Sequence, residues 1–483
     1  MEKTWSELMG ASLTVIAIVI IYLGIMIMIG YISSKKINDN EDFLVAGRKM
    51  GPWLLAGSLA ATEVGGGSSL GVVEKAYGDW GLSAVWYVIT MAIAFVVLAF
   101  LAPMLREAAV KTVPEYFRRR YGEANSLVTS IIMLLPMVGL TAVQFIASAT
   151  ILSVMTGWSY TVSVIIVTVV VTLYSVMGGM YSVVYTDVVQ WIFIIVGMGL
   201  IIPFTLQAGG GFEQVTANIP EAKWNLVDGA GWGTIIALVV MYIASFTVGQ
   251  EAVQRYYSAK DGQAAKHASY ITSFVYVLFA FIPAMIGLFM YGMVENGQID
   301  GGMLMERGAQ YALPVLAMEV LPDVVTGILF AALISATMSS ASSNLLAAGS
   351  IFTNDIYHQY INKDAADKKL LKMVRYTMYV VSGFALLTAI WNVSDIITLL
   401  MFSFTLRAGG AFIPYVLGHV WERATPAGSL ASLFLGSLAV YLGEKEFISF
   451  FGLDPIYLAL IVSGISFYVF SKLFKEQYEH RDL

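Results

Sequence analysis

The stretch Leu59-Ala-Ala-Thr-Glu-Val-Gly-Gly-Gly-Ser-Ser69 lies in a run apolar enough to cross a membrane, yet it cannot continue as an ordinary helix. Three consecutive glycines cost ~1 kcal/mol each in helix propensity. Irregular backbone at that depth persists only where protein or water satisfies its N–H and C=O groups. Carbonyls freed at such a break can hold a cation, as in discontinuous transport helices. The competing reading is a small-residue surface for close helix packing. Glu63, an ionisable side chain just before Gly65, Gly66 and Gly67, favours the break.

The rest of the chain agrees with a membrane setting. Of 483 residues, 58% are hydrophobic and 12% charged, and the mean hydropathy of +0.75 is too high for a water-exposed surface. The apolar runs are continuous and about 20 residues long, so helices rather than an alternating barrel pattern are expected. Thirteen spans are centred near Val19, Ser58, Ala92, Leu134, Val167, Ile195, Val240, Leu278, Phe330, Val380, Phe404, Leu433 and Leu460. The first lacks a basic leader and reads as a retained helix.

Of 27 Lys and Arg, 21 fall in one set of connections, including Lys35, Lys36, Arg118, Arg255, Lys372 and Arg481. Lys3, Lys75, Lys223, Arg307 and Lys445 fall on the other side, and Arg407 lies inside a span. The bias places the N-terminus outside and the C-terminus in the cytoplasm, in a multi-pass protein of the plasma (cell inner) membrane. The longest external connection, roughly 207–232, reads as a loop. Lack of cysteine excludes disulfides, and four histidines without ligand spacing argue against zinc. No basic patch with interleaved aromatics suggests nucleic acid. Neither an HExxH motif nor an intramembrane histidine dyad is present, so an enzyme is not expected.

Two further segments carry chemistry. The ninth span contains Ser335-Ala-Thr-Met-Ser-Ser-Ala-Ser-Ser-Asn344. Ala336, Ser339 and Ser340 share a helical face, and Ser339, Ser342 and Ser343 repeat the spacing about a turn on. Two oxygen clusters sharing Ser339 can hold two small hard cations. Alternatively, the hydroxyls bond back to carbonyls of the preceding turn and form a packing seam. The other segment is Leu173-Tyr-Ser-Val-Met-Gly-Gly-Met-Tyr-Ser-Val-Val-Tyr-Thr-Asp-Val-Val-Gln190. Its glycines, Gly178 and Gly179, interrupt the chain before Asp187. An acid within a span suggests an ion or proton path, unless it caps a helix or pairs with a base.

Gly-Gly-Met-Tyr-Ser at 178–182, followed by Tyr-Thr-Asp-Val-Val-Gln at 185–190, resembles the signature of the sodium/solute symporter family. Ala-Thr-x-Val-Gly-Gly-Gly at 61–67 and Met-Ser-Ser at 338–340 look nearest its high-affinity choline transporter branch. Ala142-Val-Gln-Phe-Ile146 is more similar to the pantothenate and amino-acid branches.

The resemblance implies an all-α polytopic membrane protein with a leucine-transporter-like inverted repeat of five plus five helices and about thirteen transmembrane helices. It divides one transporter domain into an extra helix and cytoplasmic loop over 1–50, repeats over 51–207 and 232–420, and two helices and a tail over 421–483. It also implies a first sodium site from the carbonyls of Ala61, Val64 and Ala336 and the hydroxyls of Ser339 and Ser340. A second would use Asp187, Ser339, Ser342 and Ser343. The aromatic cage of the choline branch is missing, because Glu63 and Gly249 stand at its positions.

The expected function is therefore sodium-coupled symport of a small organic solute by alternating access, with an amino acid or other zwitterion favoured. Na+ is the co-transported ion, no organic cofactor is expected, and the partners are the solute, sodium and membrane lipid. Glu63 can bind a protonated amine. Arg407 can bind a carboxylate, pair with Glu63, or hold an inward gate. Gln144, Gln250 and Glu251 are polar candidates for the pocket, or interhelical hydrogen bonds. Alternatives are a proton-coupled carrier of a monocarboxylate or amine, or a membrane-embedded solute sensor. One sodium supports about a 500-fold gradient of a neutral solute at 100 mV and a tenfold sodium gradient, and two support roughly 10⁵-fold.

Overall fold

The computed structural model describes residues 10–35, 40–108, 110–391, 396–445 and 454–475. Lys3, Lys36 and Arg481, used in the charge placement above, lie outside them. Twelve helices among the described residues are long and apolar enough to cross a bilayer. They are Leu13–Ser34, Gly81–Glu107, Glu123–Thr156, Tyr160–Met177, Gly179–Ala208, Gly231–Val248, Gly262–Glu295, Asp323–Ile361, Asp367–Trp391, Ile396–Val420, Pro426–Glu444 and Pro455–Leu473. Each contains one expected centre. The remaining expected span, around Ser58, is the broken one, divided into helices Pro52–Glu63 and Val72–Tyr77. Spans are numbered below in chain order with this one as the second.

Local chemistry starts these helices. Proline occupies the first turn at Pro52, Pro426 and Pro455, where its missing N–H costs nothing. Side chains cap others: Asp261 Oδ1 accepts from Ala264 N–H at 2.7 Å, and Thr425 Oγ1 from Gly428 N–H at 3.2 Å.

Breaks divide three spans or span pairs. The fifth and sixth spans form one interrupted rod, Tyr160–Ala208, kinked at Gly179 with φ 54° and ψ −159°. A Cβ at Gly179 would stand 2.7 Å from the Phe43 carbonyl oxygen, so both conformation and close approach require glycine. The seventh span, unlike the second, shows no glycine run in the sequence. It nevertheless stops at Val248, leaves the helix at Gly249 (φ −66°, ψ 112°), and resumes as Gln250–Ser258.

The ninth span is the central post. Every residue from Leu329 to Ile351 is buried, which explains why small and polar side chains are tolerated along its length. By contrast, the first span exposes Leu13, Ile20, Ile21, Met28 and Ile32, as a lipid-facing helix should. The 207–232 connection is more ordered than a plain loop. It contains the short helices Phe212–Thr216 and Glu221–Trp224 and is tied to the third span by Trp86 Nε1 donating to Leu226 O at 2.7 Å.

Candidate functional site

The second span unwinds where its glycines stand. Val64 leaves the helix at φ −85°, ψ 77°, and a wide turn over Gly67–Gly71 starts the second half. A Cβ on Gly65 would lie 2.6 Å from both Gln144 Oε1 and Ser340 Oγ, so the break admits no side chain there. Gln144 Oε1 accepts from Gly66 N–H at 2.8 Å and satisfies a backbone donor the broken helix cannot.

The ninth span packs against this break. Ser339 Oγ donates to Ala61 O at 2.8 Å and lies 2.9 Å from Ala336 O. Ser340 Oγ donates to Thr62 O at 2.6 Å and lies 3.2 Å from Ala336 O. Four of the five expected first-site groups are thus brought together: Ala61, Ala336, Ser339 and Ser340. The carbonyl meeting Ser340 is that of Thr62 rather than Val64. Five oxygens without formal charge converge here, a donor set suited to a small hard cation.

Beside them lies a small cavity, about 20 Å³, bordered by Glu63, Gly65, Ser68, Gln144, Glu251 and Asn344, with Tyr87, Met91, Leu140 and Phe404 as apolar wall. Glu63 Oε1 is buried without a hydrogen-bond partner among the described residues. Asn344 was missed by the sequence reading, although it follows Ser340 by one helical turn. Tyr87 and Phe404 come from distant spans. Both pack on Tyr242, with ring centroids 5.8 and 5.6 Å away, so one wall is aromatic although the residues expected of a cage are absent.

Three expectations need correction. Arg407 does not pair with Glu63. Its Nη1 lies 2.6 Å from Glu251 Oε1 and donates to Oε2 at 2.8 Å, while Nε donates to Ser245 Oγ at 2.6 Å. Glycine at 249 permits this approach, because a Cβ there would meet Arg407 Nη2 at 2.7 Å. Nor does Gln250 border the cavity. Its Oε1 accepts from Val113 N–H at 2.9 Å and its Nε2 donates to Lys111 O at 3.0 Å, tethering the connection after the third span.

The third correction concerns Arg255, grouped above with the cytoplasmic connections. It is buried against Asp187. Nη2 donates to Asp187 Oδ2 at 2.9 Å and to Ser343 Oγ at 2.7 Å, and Nε donates to Ser58 Oγ at 2.8 Å. Ser58 Oγ in turn donates to Asp187 Oδ2 at 2.5 Å. Ser342 and Ser343 hydroxyls both bond to Ser339 O, at 2.9 and 2.8 Å. Asp187 and Ser343 are thus joined through a guanidinium, while Ser342 is bonded, among the described residues, only within its own helix, to Ser339 O.

Residues 43–436 match the sodium:solute symporter family. The chain belongs to that family. Among similar proteins, the osmoregulated proline transporter of Bacillus subtilis is 25% identical over 92% of this chain and 94% of its own length. The sodium/proline symporter of Escherichia coli is 27% identical over 94% and 92%. A solved Na+-coupled sialic acid symporter, substrate-bound and outward-open, superposes with a TM-score of 0.81 at 21% identity, covering 96% of this chain and 98% of that one. Mhp1, a nucleobase-cation-symport-1 family transporter in a closed conformation, gives 0.58 at 14% identity, over 89% and 95%. The fold is the leucine-transporter fold, with its five-plus-five inverted repeat. This symporter is a sodium-coupled transporter of a small solute and not an enzyme. It is a multi-pass membrane protein.

Proposed function

We propose that this symporter moves sodium together with an amino acid or a similar zwitterion, by alternating access across the plasma membrane. The observation carrying this reading is the convergence of the Ala61, Thr62 and Ala336 carbonyls with the Ser339 and Ser340 hydroxyls at the broken second span. Sodium binds there, replacing the hydroxyl-to-carbonyl bonds with shared coordination. The Val64 carbonyl, freed by the break, is the sixth candidate ligand.

The solute occupies the adjacent cavity. Of the central buried carboxylates, Asp187 is paired with Arg255 and Glu251 with Arg407, which leaves Glu63 facing the cavity. A cationic group on the solute supplies the partner that Glu63 Oε1 lacks among the described residues. Arg407 is already held by Glu251, so the solute carboxylate faces the start of the second half-helix at Gly67 and Ser68, where the helix dipole is positive. Relatives named as proline transporters support an amino-acid solute. The segregated basic residues support an external N-terminus and a cytoplasmic C-terminus, and the family resemblance supports repeats over 51–207 and 232–420. A second sodium at Asp187, Ser339, Ser342 and Ser343 is taken up below.

The test is thermal unfolding of the purified protein with amino acids, amines and monocarboxylates, each in sodium and in equimolar potassium. A zwitterion that raises the midpoint only in sodium is expected. Glu63→Gln should abolish that solute shift and keep the shift caused by sodium alone. Stabilisation indifferent to sodium would instead indicate a proton-coupled or uncoupled carrier.

A further inference from the structure

Arg255 is 1% exposed and Asp187 is fully buried. The guanidinium is held entirely by oxygens drawn from several elements: Asp187 on the sixth span, Ser343 on the ninth, Ser58 on the first half of the broken span, and the Glu251 carbonyl at 2.6 Å on its own helix. Such a collection of hydroxyl, carboxylate and carbonyl oxygens is what a small cation would take. The two ninth-span clusters differ on this point. Among the described residues, the hydroxyls of Ser339 and Ser340 meet only carbonyls, whereas Ser343 meets a fixed positive charge.

We propose that Arg255 is a tethered cation filling the seat between Asp187 and Ser343, so that this symporter binds and moves one sodium ion rather than two. The proposal rests on the sodium-symport reading above. A sodium ion on Asp187 and Ser343 would stand about 4 Å from the guanidinium. At an effective dielectric constant near 20 that repulsion is worth roughly a thousandfold in affinity. Asp187 Oδ1 carries no hydrogen bond among the described residues, so the carboxylate keeps an oxygen available to sodium once the guanidinium is removed. Because Arg255 is part of the chain, it neutralises Asp187 without being delivered across the membrane. The solute gradient that sodium can sustain is then set by one ion, about 500-fold under the conditions above.

The experiment is equilibrium binding of ²²Na⁺ alone to the purified full-length protein, counting saturable sites per chain. The wild type should show one site, weakened about tenfold or more in Ser340→Ala. Arg255→Gln should gain a second, and the double variant Arg255→Gln/Asp187→Asn should return to one. Arg255→Lys, which keeps the charge, should stay at one. The wild-type count does not depend on how the variants fold: two sites there, with one removed by Asp187→Asn, overturn the proposal. A folded Arg255→Gln that still shows one site also overturns it. No saturable site in the wild type would overturn the sodium-coupled reading and this proposal with it.

Discussion

Two oxygen clusters sit about a turn apart on the same buried helix, built largely from the same residue type, yet they are electrically opposite. At Ser339 and Ser340 the partners among the described residues are backbone carbonyls alone, of the broken span and of the preceding turn. At Ser343 the partner is a guanidinium, itself paired with the Asp187 carboxylate. In the proposed reading the first arrangement takes a mobile ion. The second carries its own cation, and serves as a joint between the second, sixth and ninth spans. Serine spacing alone does not distinguish a transport site from a structural knot, whereas the charge of whatever faces it does.

The largest effect that can break this comparison is expected for Arg255→Ala. It leaves Asp187 buried without its partner and should cost about 3–5 kcal/mol of stability. Unfolding midpoints should fall steeply in potassium and recover partly in high sodium, because an ion that binds the folded state stabilises it. Equal midpoints in the two salts would show that Asp187 does not become a sodium ligand. Next is Gly65→Ala. The added methyl must displace Gln144 and Ser340, an overpacking worth about 1–3 kcal/mol. Sodium affinity should drop roughly 10- to 100-fold, read by the same ²²Na⁺ titration. Unchanged affinity would detach the break from ion binding.

The smallest and sharpest contrast is Ser340→Ala against Ser343→Ala. The first should weaken sodium about tenfold or more, because it removes a charge-assisted contact. The second should leave sodium affinity as it was and lower the unfolding midpoint instead. Equal effects on sodium binding would erase the distinction between the clusters.

Much of this was legible in the residues. The twelve continuous spans, the interruption at Gly65–Gly67 and the kink at Gly179 follow from hydropathy and glycine conformation, which are local properties. Helical periodicity put Ser339 and Ser340 on one face, and the family resemblance set that face against the broken span. The break at Gly249 was not legible, because a lone glycine in an apolar run carries no distinctive signal. It is explained only by Arg407, which occupies the space a side chain at that position would need.

By itself, then, the sequence determined that this chain spans a membrane many times, where two of its helices interrupt, and which span carries closely spaced hydroxyls. Tertiary structure decided how the buried charges pair. Arg255 lies 68 residues from Asp187, and Arg407 lies 156 residues from Glu251. A charge removed from water must find its partner within hydrogen-bond reach, and helices separated by long stretches of chain create that proximity only when they pack. Arg255, which looked like one more cytoplasmic basic residue, became the centre of a buried network for that reason. Glu63 is left facing the cavity because both neighbouring arginines are already held.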